Sequence, residues 1–313
     1  MSKIPLVIIT GPTAVGKTDL AIRTALELNS EIVSADSMQI YRYMNIGTAK
    51  PSLEERQGIA HHMIDIVDPD EEYSVARYQV EARETIEQIY RKGKIPILTG
   101  GTGLYINSVI MPMDFTEAAE DPQYREELRL LAAEKGNEYV HQMLVNIDPE
   151  TAAKLHPNDI RRVIRALEVF YLTGRRMSDY RQDFANIESQ YDIVYLGLNM
   201  NRDDLYERIN KRVDKMIDSG LLDEVRNLME MGYTKNLISM QGLGYKEMIR
   251  YLEGQCTLDE SIEVLKRDTR RYAKRQLTWF RRDKRIEWLD LDNLTNRDRL
   301  CWIMLHIRKR LAL

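Results

Sequence analysis

Cysteine is scarce in this sequence, and long apolar runs are missing. Cys256 and Cys301 are the only cysteines among 313 residues, and they lie far apart. With few and scattered histidines, this argues against a structural zinc site and indicates reduced thiols of a cytoplasmic protein. No apolar run approaches the ~20 residues of a membrane span, and the first predicted strand follows Met1 too closely for a signal peptide. We therefore expect a cytoplasmic protein without a membrane segment.

Neither sign of charge dominates the chain, whose net charge at pH 7 is −4. Positive charge is nevertheless concentrated in residues 266–285, which contain ten basic and only two acidic residues. Tyr272, Trp279 and Phe280 are interleaved with the basic residues. Such a segment is either a solvated helix face or a surface that binds a polyanion, and both interpretations remain open at this point.

A phosphate-binding loop lies close to the start of the chain. Residues 11–18 match the pattern G-x-x-x-x-G-K-[ST], which is typical of nucleotide-binding and ATP-binding loops. The loop consists of Gly11, Pro12, Thr13, Ala14, Val15, Gly16, Lys17 and Thr18. Its backbone N–H groups suit a phosphate or diphosphate, Lys17 adds a positive charge, and the Thr18 hydroxyl can reach Mg²⁺. The pattern leaves open whether the bound group is a phosphoryl donor or a leaving group.

The order of the predicted elements indicates an α/β protein with a parallel sheet. Strands are predicted at 6–10, 31–35, 95–99, 192–198 and near 286–291. Helices are predicted at 19–28, 75–91, 202–219, 221–231, 244–253, 258–280 and at the end of the chain. Residues 121–181 show only helical periodicity. We therefore predict a P-loop NTPase-like core (1–112 and 191–313) with helices on both faces of its sheet, and an inserted all-helical domain (113–190).

Polar residues follow two of the predicted core strands. Asp36 begins the run Asp-Ser-Met-Gln after the second strand, and Thr102 lies within Gly100-Gly-Thr-Gly after the third. The carboxyl ends of parallel strands line the ligand crevice, so both side chains are predicted beside the phosphate loop. There, Asp36 accepts a proton from a nucleophile, holds Mg²⁺ through water, or only caps the next turn.

Two pairs of arginines have helical spacing. Arg208 and Arg212 lie four residues apart, which suits binding of a diphosphate but also describes two solvated surface residues. Arg161 and Arg165 share a face of a predicted helix in the insertion, where they either contact nucleic-acid phosphates or pair with neighbouring acids. For the adjacent pair His61-His62 we favour a structural or substrate-positioning role, since extended neighbours point to opposite faces.

Seven short segments occur in this order along the chain: GPTAVGKT (11–18), DSMQIY (36–41), NIGTAKP (45–51), GGTGLY (100–105), HPND (156–159), QGLGYKE (241–247) and KRQLTWFR (274–281). Together they resemble the tRNA dimethylallyltransferases, in their bacterial form without a C-terminal zinc-finger extension. The resemblance extends over nearly the whole chain, and the combination is far more specific than any single segment.

This resemblance implies transfer of a dimethylallyl group from dimethylallyl diphosphate to N6 of adenosine 37, next to the anticodon of tRNA. It implies that Asp36 is the general base, that Thr102 contacts the substrate nucleotide, and that an arginine, for which we choose Arg212 over Arg208, binds the diphosphate. Mg²⁺ would bind at Thr18, with Asp36 contributing through water. The basic segment and the insertion would hold the anticodon stem-loop from two sides, and we expect a monomer. The tRNA contacts implied are Asp36, Ser37, Met38, Gln39, Ile160, Arg161, Arg162, Val163, Ile164, Gln241, Arg271, Lys274 and Arg275.

Three alternatives would use the same phosphate loop. A P-loop small-molecule kinase or NTPase would transfer phosphate, but 32–36 is the only candidate for its apolar strand ending in Asp. An adenylate isopentenyltransferase would need neither the basic segment nor the insertion. A non-catalytic RNA-binding protein would not require Lys17, Thr18 and Asp36 together.

Overall fold

A computed structural model describes residues 3–113, 120–180 and 189–312. The chain divides into two compact units, which we call the sheet unit (Met1–Met111 with Glu188–Leu313) and the helical unit (Pro112–Ile187). The corresponding sequence prediction for the insertion is 113–190.

The sheet unit is built on a parallel sheet of six strands in the order β3-β2-β4-β1-β5-β6. The strands are β1 (Ile4–Thr10), β2 (Ile32–Ser34), β3 (His61–His62), β4 (Ile97–Gly100), β5 (Tyr191–Asn199) and β6 (Glu287–Asp290). Central β1 pairs with β4 and β5, so Ile8 lies between Leu98 and Tyr195. Its apolar run is fully buried, as expected of a strand with both faces covered.

Twelve α-helices occur in the part of the chain that the structure describes. They are α1 (Lys17–Glu27), α2 (Val75–Arg91), α3 (Gly103–Ile110), α4 (Pro122–Lys135), α5 (Asn137–Ile147), α6 (Pro149–Ala152), α7 (Ile160–Thr173), α8 (Arg202–Asp218), α9 (Leu221–Glu230), α10 (Tyr245–Leu252), α11 (Leu258–Phe280) and α12 (Asn296–Leu311). Helices cover both faces of the sheet, which confirms the predicted fold class. Within the described residues, no helix combines the length and apolar character that crossing a membrane requires.

The helical unit has its own small core, formed by α4, α5, α6 and α7. Leu128, Val140, Leu144 and Leu167 pack together there. The carboxylate of Glu168 is also fully buried and pairs with Arg125 at 2.7 Å and with Arg165 at 2.5 Å. Of the two alternatives for Arg165, the structure therefore shows pairing with a neighbouring acid, Glu168, inside the helical unit.

Candidate active site

The phosphate loop connects β1 directly to α1. Gly16, the residue before α1, has φ of 105°, a left-handed conformation that glycine adopts without a steric penalty. No side chain caps the first turn of α1, so its N–H groups are available to an anion. Lys17 Nζ donates a hydrogen bond to the carbonyl of Pro12 at 2.8 Å, which holds the ammonium across the mouth of the loop.

Two cations and one carboxylate determine the electrostatics of the loop. Burial lowers the pKa of Lys17 to about 7, repulsion by Arg212 contributes, and attraction by Asp36 opposes the shift. Burial also lowers the pKa of Arg212, against attraction by Asp36 and Glu55. Burial disfavours the charged form of both side chains more than the nearby carboxylates favour it, so a bound multivalent anion would stabilise the two cations.

The two arginines of α8 occupy different positions. Arg212 lines both of the cavities described below, together with Lys17 and Thr18. Arg208 is exposed, lines only the larger cavity, and lies beside Gly16. Ile209 and Val213 are buried and fix the inward face of α8, and Arg212 is the arginine whose pKa Asp36 affects.

Asp36 lies at the carboxyl end of β2, as the strand order of an α/β sheet requires. Its Oδ1 accepts hydrogen bonds from Met38 N at 2.9 Å and Gln39 N at 3.4 Å, which closes the turn. Its Oδ2 has no hydrogen-bond partner in the described parts of the chain. One carboxylate oxygen therefore caps the turn, while the other is left for a ligand.

Thr102 reaches the same place from the end of β4. Its Oγ1 accepts a hydrogen bond from Ser37 N at 3.0 Å and lies 3.3 Å from Ser37 Oγ. The carbonyl of Ala35 accepts a hydrogen bond from Thr102 N at 3.1 Å. The loops after β2 and β4 are therefore bonded together, and Thr102 lies next to the Asp36 turn.

Two cavities share the residues of the phosphate loop. The first, of about 390 Å³, is lined by Thr13, Asp36 and Ser37 and by the apolar side chains of Ile209, Val213, Met216 and Leu265. The second, of about 1060 Å³, is lined by Gly16, Arg208, Lys211 and Lys215. Both contain Lys17, Thr18 and Arg212, so the phosphate-binding groups lie where the two cavities meet. The first cavity combines apolar walls with a few convergent polar groups, as ligand sites do.

Gln276, on α11, is a site residue for which no individual role was predicted from the sequence. Its Oε1 accepts a hydrogen bond from Thr13 N at 2.8 Å, and its Nε2 donates to the carbonyl of Gly101 at 2.9 Å. A Cβ on Gly101 would lie 2.2 Å from the amide nitrogen, so a larger residue there would displace this amide. Tyr272 lies one turn earlier on the same buried side, with Thr102 and Gln276 beside its hydroxyl. The sequence held one indication of this inward side: Tyr272 and Gln276 are four residues apart and lie opposite the basic face of α11.

A second unpredicted residue, Glu224, organises the segment NIGTAKP. Its carboxylate accepts hydrogen bonds from the backbone N–H groups of Asn45, Ile46 and Gly47 at 2.8–3.1 Å. The hydroxyl of Tyr245 donates to it at 2.7 Å. This segment lines the first cavity through residues 47–49 and 51 and the second through 45–46 and 49–51, so Glu224 helps to shape both.

The residues predicted to contact tRNA differ in how far their side chains are exposed. Arg271, Lys274, Arg275 and Gln241 are exposed on the sheet unit, and Ser37 and Met38 line the first cavity. The Gln39 amide is used internally, since Nε2 donates to the carbonyls of Thr48 and Ala49 at 3.3 Å.

In the helical unit the prediction for 160–164 needs a correction. Arg161 and Arg162 are exposed and Ile160 is half-buried, but the side chains of Val163 and Ile164 are only 0% and 4% exposed in the core of that unit. Those two side chains support the helix and offer no surface to a nucleic acid.

The histidine pair forms β3, where successive side chains point to opposite faces. His62 Nε2 lies 2.8 Å from Glu31, and His61 Nδ1 lies 2.9 Å from the carbonyl of Ile59. In the described ranges, no cluster of three or more His, Cys, Asp or Glu residues could hold a metal ion. These contacts agree with a structural role for His62, and His61 lines the first cavity.

Together, a parallel sheet, a phosphate loop after its central strand and polar residues at the neighbouring strand ends define a P-loop-type α/β enzyme. Residues 39–283 match the model of the IPP transferase family. The chain belongs to this family. The matched range begins after the phosphate loop and Asp36, so the description of those residues rests on their own geometry.

Individual relatives agree with this assignment and confirm the resemblance found in the sequence. A tRNA dimethylallyltransferase from Alkaliphilus oremlandii (strain OhILAs) is 58% identical over 288 residues, 92% of each chain. The full-length tRNA isopentenylpyrophosphate transferase of Bacillus halodurans is 45% identical, with a TM-score of 0.75 and 99% of both chains covered. A eukaryotic dimethylallyltransferase acting on tRNA is 35% identical, with a TM-score of 0.81, covering 96% of this chain and 77% of the other.

Proposed function

We propose that this protein transfers a dimethylallyl group from dimethylallyl diphosphate to N6 of adenosine 37, beside the anticodon of tRNA. The observation that carries the proposal is the free Oδ2 of Asp36 in the same cavity as Lys17 and Arg212. A proton acceptor next to an anion site serves a reaction in which the nucleophile loses a proton and a diphosphate departs.

The phosphate loop holds the leaving group in this proposal. Loop N–H groups, Lys17 and Arg212 neutralise the charge that develops on the diphosphate as the bond from carbon to oxygen breaks. Mg²⁺ prefers oxygen ligands and keeps several of its waters. Thr18, through its hydroxyl, and Asp36, through a water, are the residues that would hold it. When bound, Mg²⁺ would supply further charge neutralisation at the diphosphate.

The acceptor side is formed by Asp36 and Thr102. The exocyclic amine of adenine is a weak nucleophile because its lone pair is delocalised into the ring. As the new bond from nitrogen to carbon forms, Asp36 Oδ2 accepts the amine proton, and Thr102, fixed by Ser37, holds the nucleotide. The base must leave its stack to enter the cavity, which costs a few kcal/mol and is easiest in a loop.

RNA binding is assigned to exposed cations on both units. On α11, Arg271, Lys274 and Arg275 are exposed. On α7, Arg161 is exposed and has no ion-pair partner in the described chain, whereas Arg162 pairs with Asp159 at 3.3 Å. We propose that these side chains contact the anticodon stem-loop through its phosphates.

A labelling experiment tests the proposal. The protein is incubated with labelled dimethylallyl diphosphate and either unmodified tRNA or AMP, and ATP turnover is measured in parallel. We expect label in tRNA only. Label in AMP would favour the adenylate isopentenyltransferase, and ATP turnover without labelled product would favour a kinase or NTPase.

A substitution at Asp36 tests the chemical step separately. Asp36→Asn keeps an oxygen that can accept from Met38 N and Gln39 N, so the turn is retained while the base is lost. We expect transfer to fall by about 10²-fold or more with tRNA affinity nearly unchanged. Asp70→Asn, at an exposed aspartate, is the matched control. A loss of tRNA binding in proportion to activity would remove Asp36 from the role of general base.

A further inference from the structure

Helix α11 presents Arg271, Lys274 and Arg275 to solvent and one amide to the active site. We infer that this amide, Gln276, is a positioning residue that sets the spacing between the loop binding the donor and the loop binding the acceptor. The inference rests on the proposed reaction and adds to it a residue that contacts the protein backbone rather than the reacting atoms.

The geometry of the amide is unambiguous. Thr13 offers a backbone N–H and Gly101 a carbonyl, so only one orientation of the Gln276 amide satisfies both, at 2.8 and 2.9 Å. Gln276 is 6% exposed and its hydrogen bond to the Gly101 carbonyl is buried, so the amide is shielded from bulk water. Loss of a partner would leave a buried polar group unsatisfied, which ordinarily costs about 1–3 kcal/mol.

The two loops that Gln276 joins carry opposite halves of the proposed chemistry. Thr13 belongs to the phosphate loop, four residues before Lys17. Gly101 directly precedes Thr102, which is bonded to the Asp36 turn through Ser37. The two contacts lie 263 and 175 residues away along the chain, so they tie together segments that meet only in the folded protein.

The expected effect follows from the sensitivity of group transfer to distance. A displacement of about 1 Å between reacting groups can cost about 10²-fold in rate even when both substrates remain bound. Removing the amide should therefore lower kcat, while KM for the donor and for tRNA changes much less. A residue that only stabilised the fold would not produce that separation.

Two variants and a control form the test. Gln276→Met keeps the length of the side chain and removes the hydrogen bonds to Thr13 N and the Gly101 carbonyl, together with the contact to the Tyr272 hydroxyl. Gln276→Glu keeps an acceptor for Thr13 N but cannot donate to Gly101 while ionised. Gln255→Glu, at an exposed glutamine on the connection before α11, is the control. Steady-state kinetics with tRNA and dimethylallyl diphosphate are combined with hydrogen exchange of the peptides covering 11–18 and 101–105.

For Gln276→Met we expect kcat to fall about 10²-fold, KM to stay within about threefold, and exchange to rise in both loops. For Gln276→Glu we expect exchange to rise mainly in 101–105. Wild-type kcat in Gln276→Met, or a change confined to KM, would overturn the inference. If the wild-type protein transfers no prenyl group, the proposed function fails by itself, and unchanged exchange in both loops of Gln276→Met would still refute the positioning role.

Discussion

Binding of a diphosphate should draw a proton onto Lys17. Burial, together with repulsion from Arg212, lowers the pKa of this lysine to about 7 in the free protein. A lysine with that pKa is about 10% protonated at pH 8, and a bound polyanion should return its pKa towards the ordinary range. We therefore expect an uptake of about 0.9 proton at pH 8 and about 0.1 proton at pH 6.

The same protonation should make the affinity for the diphosphate fall as the pH rises above 7. Above pH 7 the free lysine must first be protonated, so Kd for the diphosphate should rise about tenfold per pH unit until the pKa of the bound state is reached. Each tenfold step corresponds to about 1.4 kcal/mol of binding free energy. Below pH 7 the contribution from Lys17 should level off, because the ammonium is already charged.

Calorimetry measures this uptake directly. Titrations of dimethylallyl diphosphate in buffers of different ionisation enthalpy give the number of protons bound at each pH. Lys17→Arg supplies the reference, because arginine stays charged throughout and the ligand's own titration is then subtracted. Equal uptake by the wild-type protein and by Lys17→Arg at pH 8 would show that Lys17 is charged before the ligand arrives, and the electrostatic description of the site would be refuted.

Two further predictions concern charges away from the phosphate loop. Burial would raise the pKa of Glu31, but hydrogen bonds from Lys92, Lys94 and His62 lower it to about 2. The contribution of Glu31 to the free energy of unfolding is therefore complete above its ordinary pKa of 4.5 and is lost as the pH falls through 2. Urea unfolding should show Glu31→Gln less stable by about 1–2 kcal/mol at pH 7, with the difference shrinking below pH 4.5, whereas a difference independent of pH would contradict this. The triple replacement of Arg271, Lys274 and Arg275 by Ala should weaken tRNA binding. It should also reduce the slope of log K against log salt concentration by the equivalent of up to about three phosphate contacts. The exposed trio Arg308, Lys309 and Arg310 provides a charge-matched control, and an unchanged salt slope in the α11 variant would show that this face does not meet RNA.

The elements that could be predicted from the sequence are those whose causes are local. Helix α2 has the predicted bounds, Val75–Arg91, because Ser74 caps Arg77 N and apolar residues recur at helical spacing. Strand β4 begins later than predicted, at Ile97, directly after Pro96, which has no N–H to donate to a ladder.

The elements that escaped prediction depend on distant partners. Strand β3 is two residues long and exists through its pairing with Ile32 and Val33. Helix α3 follows a glycine-rich segment that alone indicates a turn, and the indole of Trp279 packs against Gly103 at its start. At the site, the phosphate loop and the position of Asp36 followed from strand order. The sequence could not show which cavities Arg208 and Arg212 line, because that depends on the orientation of α8. The contacts of Gln276 could not be predicted because they join residues 263 and 175 positions apart.

The distribution of charge on the sheet unit has a consequence for how the protein meets its substrate. The chain is net negative, yet α11 carries a compact positive face whose neighbours are largely acidic or neutral in sequence. The field of this positive face attracts a polyanion before contact forms and biases its approach towards α11. In the proposed function, this would make the first encounter with tRNA already directional, with the helix that carries Gln276 on its inner side turned towards the incoming stem-loop.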